Sequence, residues 1–263
     1  LYRGCRCANA LQSTGQRRVS NNRVCWLNAD DPPNRFPPVS AALREPDGLL
    51  AAGGDLAADR ILYAYEHGIF PWYDEGQPLL WWSPDPRCVF LPGNFHVARR
   101  LQRALKRSSA EIRINSAFHE VIVACSGPRR SEQGTWITPE MIAAYEDLHR
   151  KGWAHSIEVW QSNELIGGLY GLCIGQAFFG ESMFSKAPDA SKLALLYLAN
   201  LLQAGELQLL DAQLESAHLL SLGATMMPRS AFITRLKSAC DPAIRYEKWP
   251  TTPLPALSLL SPE

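Results

Sequence analysis

Residues 155–212 constrain the fold more than any other stretch of the chain. Three runs, at 155–160, 164–173 and 176–184, are rich in β-branched and aromatic residues and read as strands. Ser162-Asn163 and Gly175 lie between them and suit hairpin turns. Residues 190–203 then form a strongly apolar helix that stops at Gly205, and 207–212 read as another strand. Consecutive hairpin strands, then a helix, then a strand predict a mixed α/β domain.

The flanking segments are less regular. Residues 30–55 carry Asp31-Pro32-Pro33, Pro46-Asp47-Gly48 and Gly53-Gly54-Asp55, which predict loop and short turns rather than regular structure. A short helix is expected at 59–67 with Gly68 after it. Helices are also expected at 95–107, 117–125 and 138–151, and shorter ones around 216–222 and 229–238. Residues 111–114 alternate like a strand. Thr138-Pro139-Glu140 has the cap-then-proline order that opens a helix. Pro84 and Pro86 suggest a boundary, so the expected units are a small N-terminal domain at 24–86 and a larger domain at 87–263. Residues 1–23 lack periodicity and read as a disordered or artefactual extension. They hold no initiator Met, no apolar signal core and no small-residue cleavage site, so no secretory leader is expected.

Composition narrows the function classes. Lys+Arg and Asp+Glu are 26 each, which excludes a histone-like polycation but not a local basic patch. No apolar stretch is long enough to span a bilayer. Seven scattered Cys residues favour a reduced, cytoplasmic setting over a disulfide scaffold. Cys5 and Cys7 have no second ligand pair nearby, so no metal is expected. The chain contains no GxxxxGK[ST] loop, GxSxG elbow or HExxH pair.

Three sets of residues can carry chemistry. Glu181 and Asp211 lie inside apolar strand-like runs, where an ionised carboxylate needs a cationic or hydrogen-bonding partner. Asp211 and Gln213 are two apart, so an extended segment puts them on one face. The alternative for these acids is a satisfied core ion pair. Trp72 and Trp136 stand beside turn and cap residues and can stack a base, or can simply pack in the core. Between 87 and 113 lie Arg87, Arg99, Arg100, Arg103, Lys106, Arg107 and Arg113, against the single acid Glu111. That stripe suits nucleic-acid phosphates, or is a solvated helix face. His218 reads as packing rather than as a catalytic base.

Taken in order, several segments resemble one family, the bacterial leucyl/phenylalanyl-tRNA–protein transferases. They are Gly53-Gly54-Asp55-Leu56, Gly68-Ile69-Phe70-Pro71-Trp72, Trp81-Trp82-Ser83-Pro84-Asp85-Pro86-Arg87 and Gly134-Thr135-Trp136-Ile137-Thr138. They continue through His155-Ser156-Ile157-Glu158-Val159-Trp160, Gly180-Glu181-Ser182-Met183-Phe184-Ser185, Ala190-Ser191-Lys192, Asp211-Ala212-Gln213 and Ser221-Leu222-Gly223-Ala224. The resemblance implies a larger domain similar to the N-acetyltransferase (GNAT) fold. It also implies transfer of Leu or Phe, with Met as a further donor, from aminoacyl-tRNA to proteins beginning with Lys or Arg. That addition marks a protein for N-end-rule degradation, and it needs neither ATP, cofactor nor metal.

By the same resemblance Trp72 and Trp136 hold the terminal adenosine of the tRNA. Arg99, Arg103, Lys106 and Arg107 meet the backbone of its acceptor stem. Leu169, Phe179, Met183, Leu195, Leu198 and Leu210 are expected to form the side-chain pocket, with unbranched Met183 adapting to either donor. Asp211 and Gln213 are assigned to proton relay or carbonyl orientation, and Glu181 to binding the acceptor or the aminoacyl amino group. A monomer is expected. Two other readings stand beside this one: an acyltransferase of similar fold using acyl-CoA, and a non-catalytic RNA-binding module.

Overall fold

The computed structural model describes residues 24–127, 136–241 and 246–260. Two mixed sheets and seven helices build a mixed α/β protein among these residues. The smaller sheet has the order β1-β2-β4-β3, from β1 (Cys25–Leu27), β2 (Leu49–Gly53), β3 (Phe70–Pro71) and β4 (Leu80–Trp82), with α1 (Ala58–Glu66) between β2 and β3. β2 corrects the expectation that 30–55 holds no regular structure. Its residues Leu50, Ala51 and Ala52 are buried between β1 and β4, and the flanking Gly48 and Gly53 have φ of +86° and +81°. Those glycines end the strand at both sides and masked its short apolar run. The assignment of 1–23 to an extension lies outside the described residues.

The larger sheet has eight strands. In chain order they are β5 (Arg87–Phe90), β6 (Glu111–Ile114), β7 (Ala154–Gln161), β8 (Glu164–Ile174), β9 (Ala177–Ser185), β10 (Leu209–Gln213), β11 (Thr225–Met227) and β12 (Leu254–Pro255). Their spatial order is β11-β5-β10-β9-β8-β7-β6-β12. The β7–β8 hairpin turns at Ser162 and Asn163, with φ of +50° and +62°, the backbone that a tight two-residue hairpin demands. Only β9 and β10 in this sheet pair in parallel, joined through α5 (Ala190–Gln203).

The helices cover both faces. α5 buries residues around nearly its whole circumference, because one side packs on the sheet and another on the C-terminal segment, where Asn200 Nδ2 donates to Leu259 O at 2.9 Å. Each fully buried Leu on it contributes about 2 kcal/mol. α2 (Arg99–Leu105), α6 (Ala217–Ser221) and α5 line the face filled by Phe178, Leu198 and Leu210. α3 (Phe118–Ser126), α4 (Pro139–Arg150), α7 (Arg229–Ala239) and α1 cover the other, where Phe179, Tyr145 and Val121 join Tyr65 and Trp81 in one apolar cluster. The expected helix at 95–107 is shorter than its charge pattern suggested, because the backbone at Ala98 is still extended, with ψ of 143°.

Candidate active site

β9 and β10 stay paired only as far as Phe179 and Asp211. Beyond that point both strands are bulged against their other neighbours. On β9, Gly180 and Ser182 face Gly171 and Tyr170 of β8, which leaves Glu181 as the extra residue. On β10, Asp211 and Gln213 face Val89 and Cys88 of β5, which leaves Ala212 over, and Gln213 takes φ of +54°. A bulge bends its strand and re-aims a side chain. Between the two bulges opens a cavity of about 260 Å³.

Leu169, Met183, Leu195, Leu198 and Leu210 line it with apolar side chains, together with Phe90. Glu181, Asp211, Gln213, Ser216 and His218 add polar groups to the same lining. The structure thus brings five of the six expected pocket residues to one cavity. Phe179 is the exception. It is fully buried on the opposite face of the sheet, stacked edge-on against Tyr65 at 5.0 Å and 71°. The bulge at Glu181 shifts the strand's alternation, so Phe179 and Met183 fall on different sides.

Asp211 is fully buried, and both carboxylate oxygens are taken. Arg87 donates to it through Nε at 2.9 Å and Nη2 at 2.7 Å. The guanidinium lies 4.6 Å from the Phe70 ring and 4.8 Å from the Phe232 ring, and Nη1 donates to Gly68 O. Arg87 therefore does not belong to an exposed basic stripe. It opens β5, a strand whose every residue is buried, and a cation there needs a carboxylate. Asp211 Oδ1 also accepts from the backbone N–H of Gln213 at 2.9 Å, which pins the bulge. Asp211 and Gln213 both line the cavity, and the bulge between them sets the direction of the Gln213 side chain. Gln213 aims its amide at Glu181 Oε1, 3.4 Å away.

Glu181 is the more available acid. Tyr65 donates its hydroxyl to Oε1 at 2.6 Å, and the Tyr65 and Tyr145 hydroxyls are 2.8 Å apart. Burial, helped by the Asp211 charge, pushes the Glu181 carboxyl up to about 7, against the opposing hydrogen bonds of the tyrosines and the Arg87 charge. Burial and the nearby carboxylate push both phenols well above their ordinary value. His218 stands at the cavity rim, where partial burial and Lys192 lower its tendency to hold a proton. Neither tyrosine nor Arg87 was singled out for this role from the sequence. The available signal was polar: a phenol in the apolar face of each helix, and an arginine opening Cys88-Val89-Phe90.

Trp72 and Trp136 are half-buried, and neither lines this cavity. Trp72 packs on Trp82 at 5.6 Å, and its carbonyl accepts from the Trp82 indole. Trp136 directly precedes the start of α4, where Thr138 Oγ1 accepts from Met141 N. The two indole segments are tied together by Tyr73 and Thr138, whose hydroxyls are 3.1 Å apart. Gly134 and Thr135, in the motif around Trp136, lie outside the described residues.

Arg99, Arg100, Arg103, Lys106 and Arg107 are all exposed, and none of the five forms an ion pair among the described residues. Arg113 leaves the stripe, since it pairs with Glu111 and lies over the Trp160 ring at 4.6 Å. The lead into α2 is stitched to α6, a cavity wall, by His96 N donating to Leu222 O at 2.9 Å. Next to it Gly223 has φ of +101°, and a Cβ there would sit 1.8 Å from Asn94 O, so only glycine fits. Among the described residues no helix is long and apolar enough to cross a membrane, and no group of three or more His, Cys, Asp or Glu could hold a metal ion.

Comparison with known proteins adds the family. Residues 54–85 match the leucyl/phenylalanyl-tRNA protein transferase N-terminal domain, and residues 89–237 match the leucyl/phenylalanyl-tRNA protein transferase family. The chain is 52% identical over 214 residues to the leucyl/phenylalanyl-tRNA–protein transferase of Nitrosomonas eutropha, covering 81% of this chain and 92% of that protein. It is 53% identical over 218 residues to the one from Stutzerimonas stutzeri, covering 83% and 96%. For Azotobacter vinelandii the identity is 54% over 206 residues, covering 78% and 91%.

Proposed function

The chain belongs to the leucyl/phenylalanyl-tRNA–protein transferase family, an aminoacyltransferase family, and on that premise we propose that it moves Leu or Phe from tRNA to the N-terminal α-amine of proteins beginning with Lys or Arg. The product is an N-degron, and a donor that exists as aminoacyl-tRNA places the reaction in the cytoplasm. One copy of the chain carries every group the reaction uses, in keeping with a monomer.

The observation that carries this reading is one cavity whose lining combines a set of large apolar side chains with two carboxylates. The side chain of the transferred residue packs against Leu169, Met183, Leu195, Leu198 and Leu210. An unbranched Met beside branched Leu residues accommodates both an isobutyl group and a ring. The ester carbonyl then lies near the bulges. The acceptor's α-ammonium gives one proton to Glu181, and the neutral amine attacks the ester carbon. The C–N bond forms, the C–O bond to the ribose breaks, and the departing oxygen takes a proton shed by the attacking nitrogen. A carboxyl held near 7 is matched to accepting that proton at neutral pH. Asp211, saturated by Arg87, holds Gln213 in place rather than taking the proton, and the Gln213 amide orients the carbonyl or the amine. Alignment of an activated ester with an amine supplies much of the remaining acceleration.

Trp72 and Trp136 form the platform for the terminal adenosine, on segments linked by Tyr73 and Thr138. Arg99, Arg103, Lys106 and Arg107 meet the acceptor-stem phosphates from the helix stitched to the cavity wall. The test is direct. Incubated with tRNA carrying radiolabelled Leu or Phe, the full chain is expected to label a protein with N-terminal Arg but not the same protein with N-terminal Ala. No label in the Arg protein overturns the reading.

A further inference from the structure

Two helices approach Glu181 from the same side of the large sheet, and each leads to one of the indoles. α1 holds Tyr65, and the chain then runs through β3 to Trp72. α4 holds Tyr145, and Trp136 lies three residues before its first residue, Pro139. These segments meet at two rungs. The first is Tyr65 to Tyr145, hydroxyl to hydroxyl at 2.8 Å, and the second is Tyr73 to Thr138 at 3.1 Å. Glu181 hangs from the first rung through the 2.6 Å bond from Tyr65.

The direction of this chain of hydrogen bonds follows from proton count. An ionised carboxylate only accepts, so Tyr65 donates to Glu181, and the Tyr65 oxygen is left to accept from Tyr145. Both phenols are fully buried and held by edge-on rings, Tyr65 against Phe179 at 71° and Tyr145 against Tyr170 at 5.5 Å and 85°. A donor without rotational freedom fixes the rotamer of the group it holds. Neither tyrosine lines the cavity, so neither touches what the cavity binds.

We infer that Tyr65 and Tyr145 are positioning residues of the transfer step, one rung of a two-rung frame that holds the Glu181 carboxylate in register with the Trp72 and Trp136 end of the site. The inference rests on the function proposed above and extends it. One rung fixes the proton acceptor, the other fixes the indole segments, and the backbone between them sets their separation.

Phenylalanine removes a hydroxyl without emptying the core. The titratable and charged groups around Glu181 are Tyr65 on α1, Tyr145 on α4, Tyr170 on β8, Asp211 on β10 and Arg87 on β5, with His218 on α6 across the cavity. Tyr65→Phe leaves all but the first unchanged. Turnover is expected to fall about tenfold while KM for aminoacyl-tRNA stays within about twofold. The acid limb of the kcat profile should move up by about 1 pH unit, because the lost bond favoured the charged carboxylate. Tyr145→Phe should shift the limb in the same direction by less, since it acts through Tyr65. Tyr73→Phe breaks only the second rung and should raise KM for aminoacyl-tRNA with the limb unmoved. Thermal melting establishes that each variant is folded. If Tyr65→Phe does not fold, an unmoved limb in folded Tyr145→Phe overturns the inference. Folded Tyr65→Phe with wild-type turnover and an unmoved limb overturns it as well, while leaving the proposed function intact. A wild-type chain without transfer would instead sink the function itself.

Discussion

Glu158 and Glu181 are the same residue type, each on a strand of the large sheet, yet they sit in opposite circumstances, Glu158 fully buried and Glu181 half-buried. Glu158 on β7 accepts from the backbone N–H groups of Ser116 and Ala117 at 2.9 and 2.8 Å, from the Ser116 hydroxyl, from Ser156 Oγ at 2.8 Å and from the Trp160 indole at 3.1 Å. Five donors satisfy it, and it secures the start of α3. Glu181 accepts one short bond, from Tyr65, and a long one from Gln213, with the cavity before it. A carboxylate whose lone pairs are filled is a building element. One left short of donors and open to a cavity is available for a substrate's proton. Asp211 lies between these cases, open to the cavity but saturated by Arg87.

That contrast can be broken by substitution. The largest effect is expected at the intermediate case. Arg87→Met strands the Asp211 charge and should cost about 3–5 kcal/mol in a denaturant titration; a loss under about 1 kcal/mol would mean Asp211 does not depend on its partner. Next comes Glu181→Gln, which keeps the shape and the Tyr65 bond. Turnover should drop about 100-fold or more. Its effect on stability should have the opposite sign. The folded chain holds the Glu181 proton more tightly than the unfolded chain, from an ordinary value of 4.5 up to about 7. The stabilisation from that tighter hold is therefore full below about 4.5 and is lost as pH rises through about 7. The variant should melt about 3 °C or more above wild type at pH 8 and level with it at pH 4. Equal melting at both pH values would show that Glu181 is not strained by its site. The smallest effect belongs to Glu158→Gln, which turns one N–H against the Trp160 indole. It should lose about 2 kcal/mol of stability, with turnover per folded molecule within about twofold. A turnover loss matching that of Glu181→Gln would erase the distinction between the two acids.

Much of this was legible from periodicity alone. The strands at β7, β8 and β9, the apolar α5 and the capped α4 follow from alternation, helical spacing and Thr138-Pro139. What escaped were departures from periodicity. Two bulges, at Glu181 and Ala212, changed which side chains face together, and so displaced Phe179 from the pocket and turned the Gln213 amide toward Glu181. No residue-type preference announces a bulge in Gly180-Glu181-Ser182. Arg87 was grouped with neighbours in sequence, whereas its partner lies 124 residues away. The tyrosine frame is likewise a long-range event, joining positions 80 and 116 residues apart. Local chemistry marks the acids as candidates, but only tertiary structure decides which acid is satisfied.

The tight approach of Gly223 to Asn94 has a mechanical consequence. Slack between neighbouring elements is what lets one move and the other rest, and here there is none. The segment leading into α2 and the turn after α6, whose Leu219 lines the cavity, therefore have no room to slide past one another. If α2 meets polynucleotide as proposed, a shift there is carried into the cavity lining rather than taken up between the two elements.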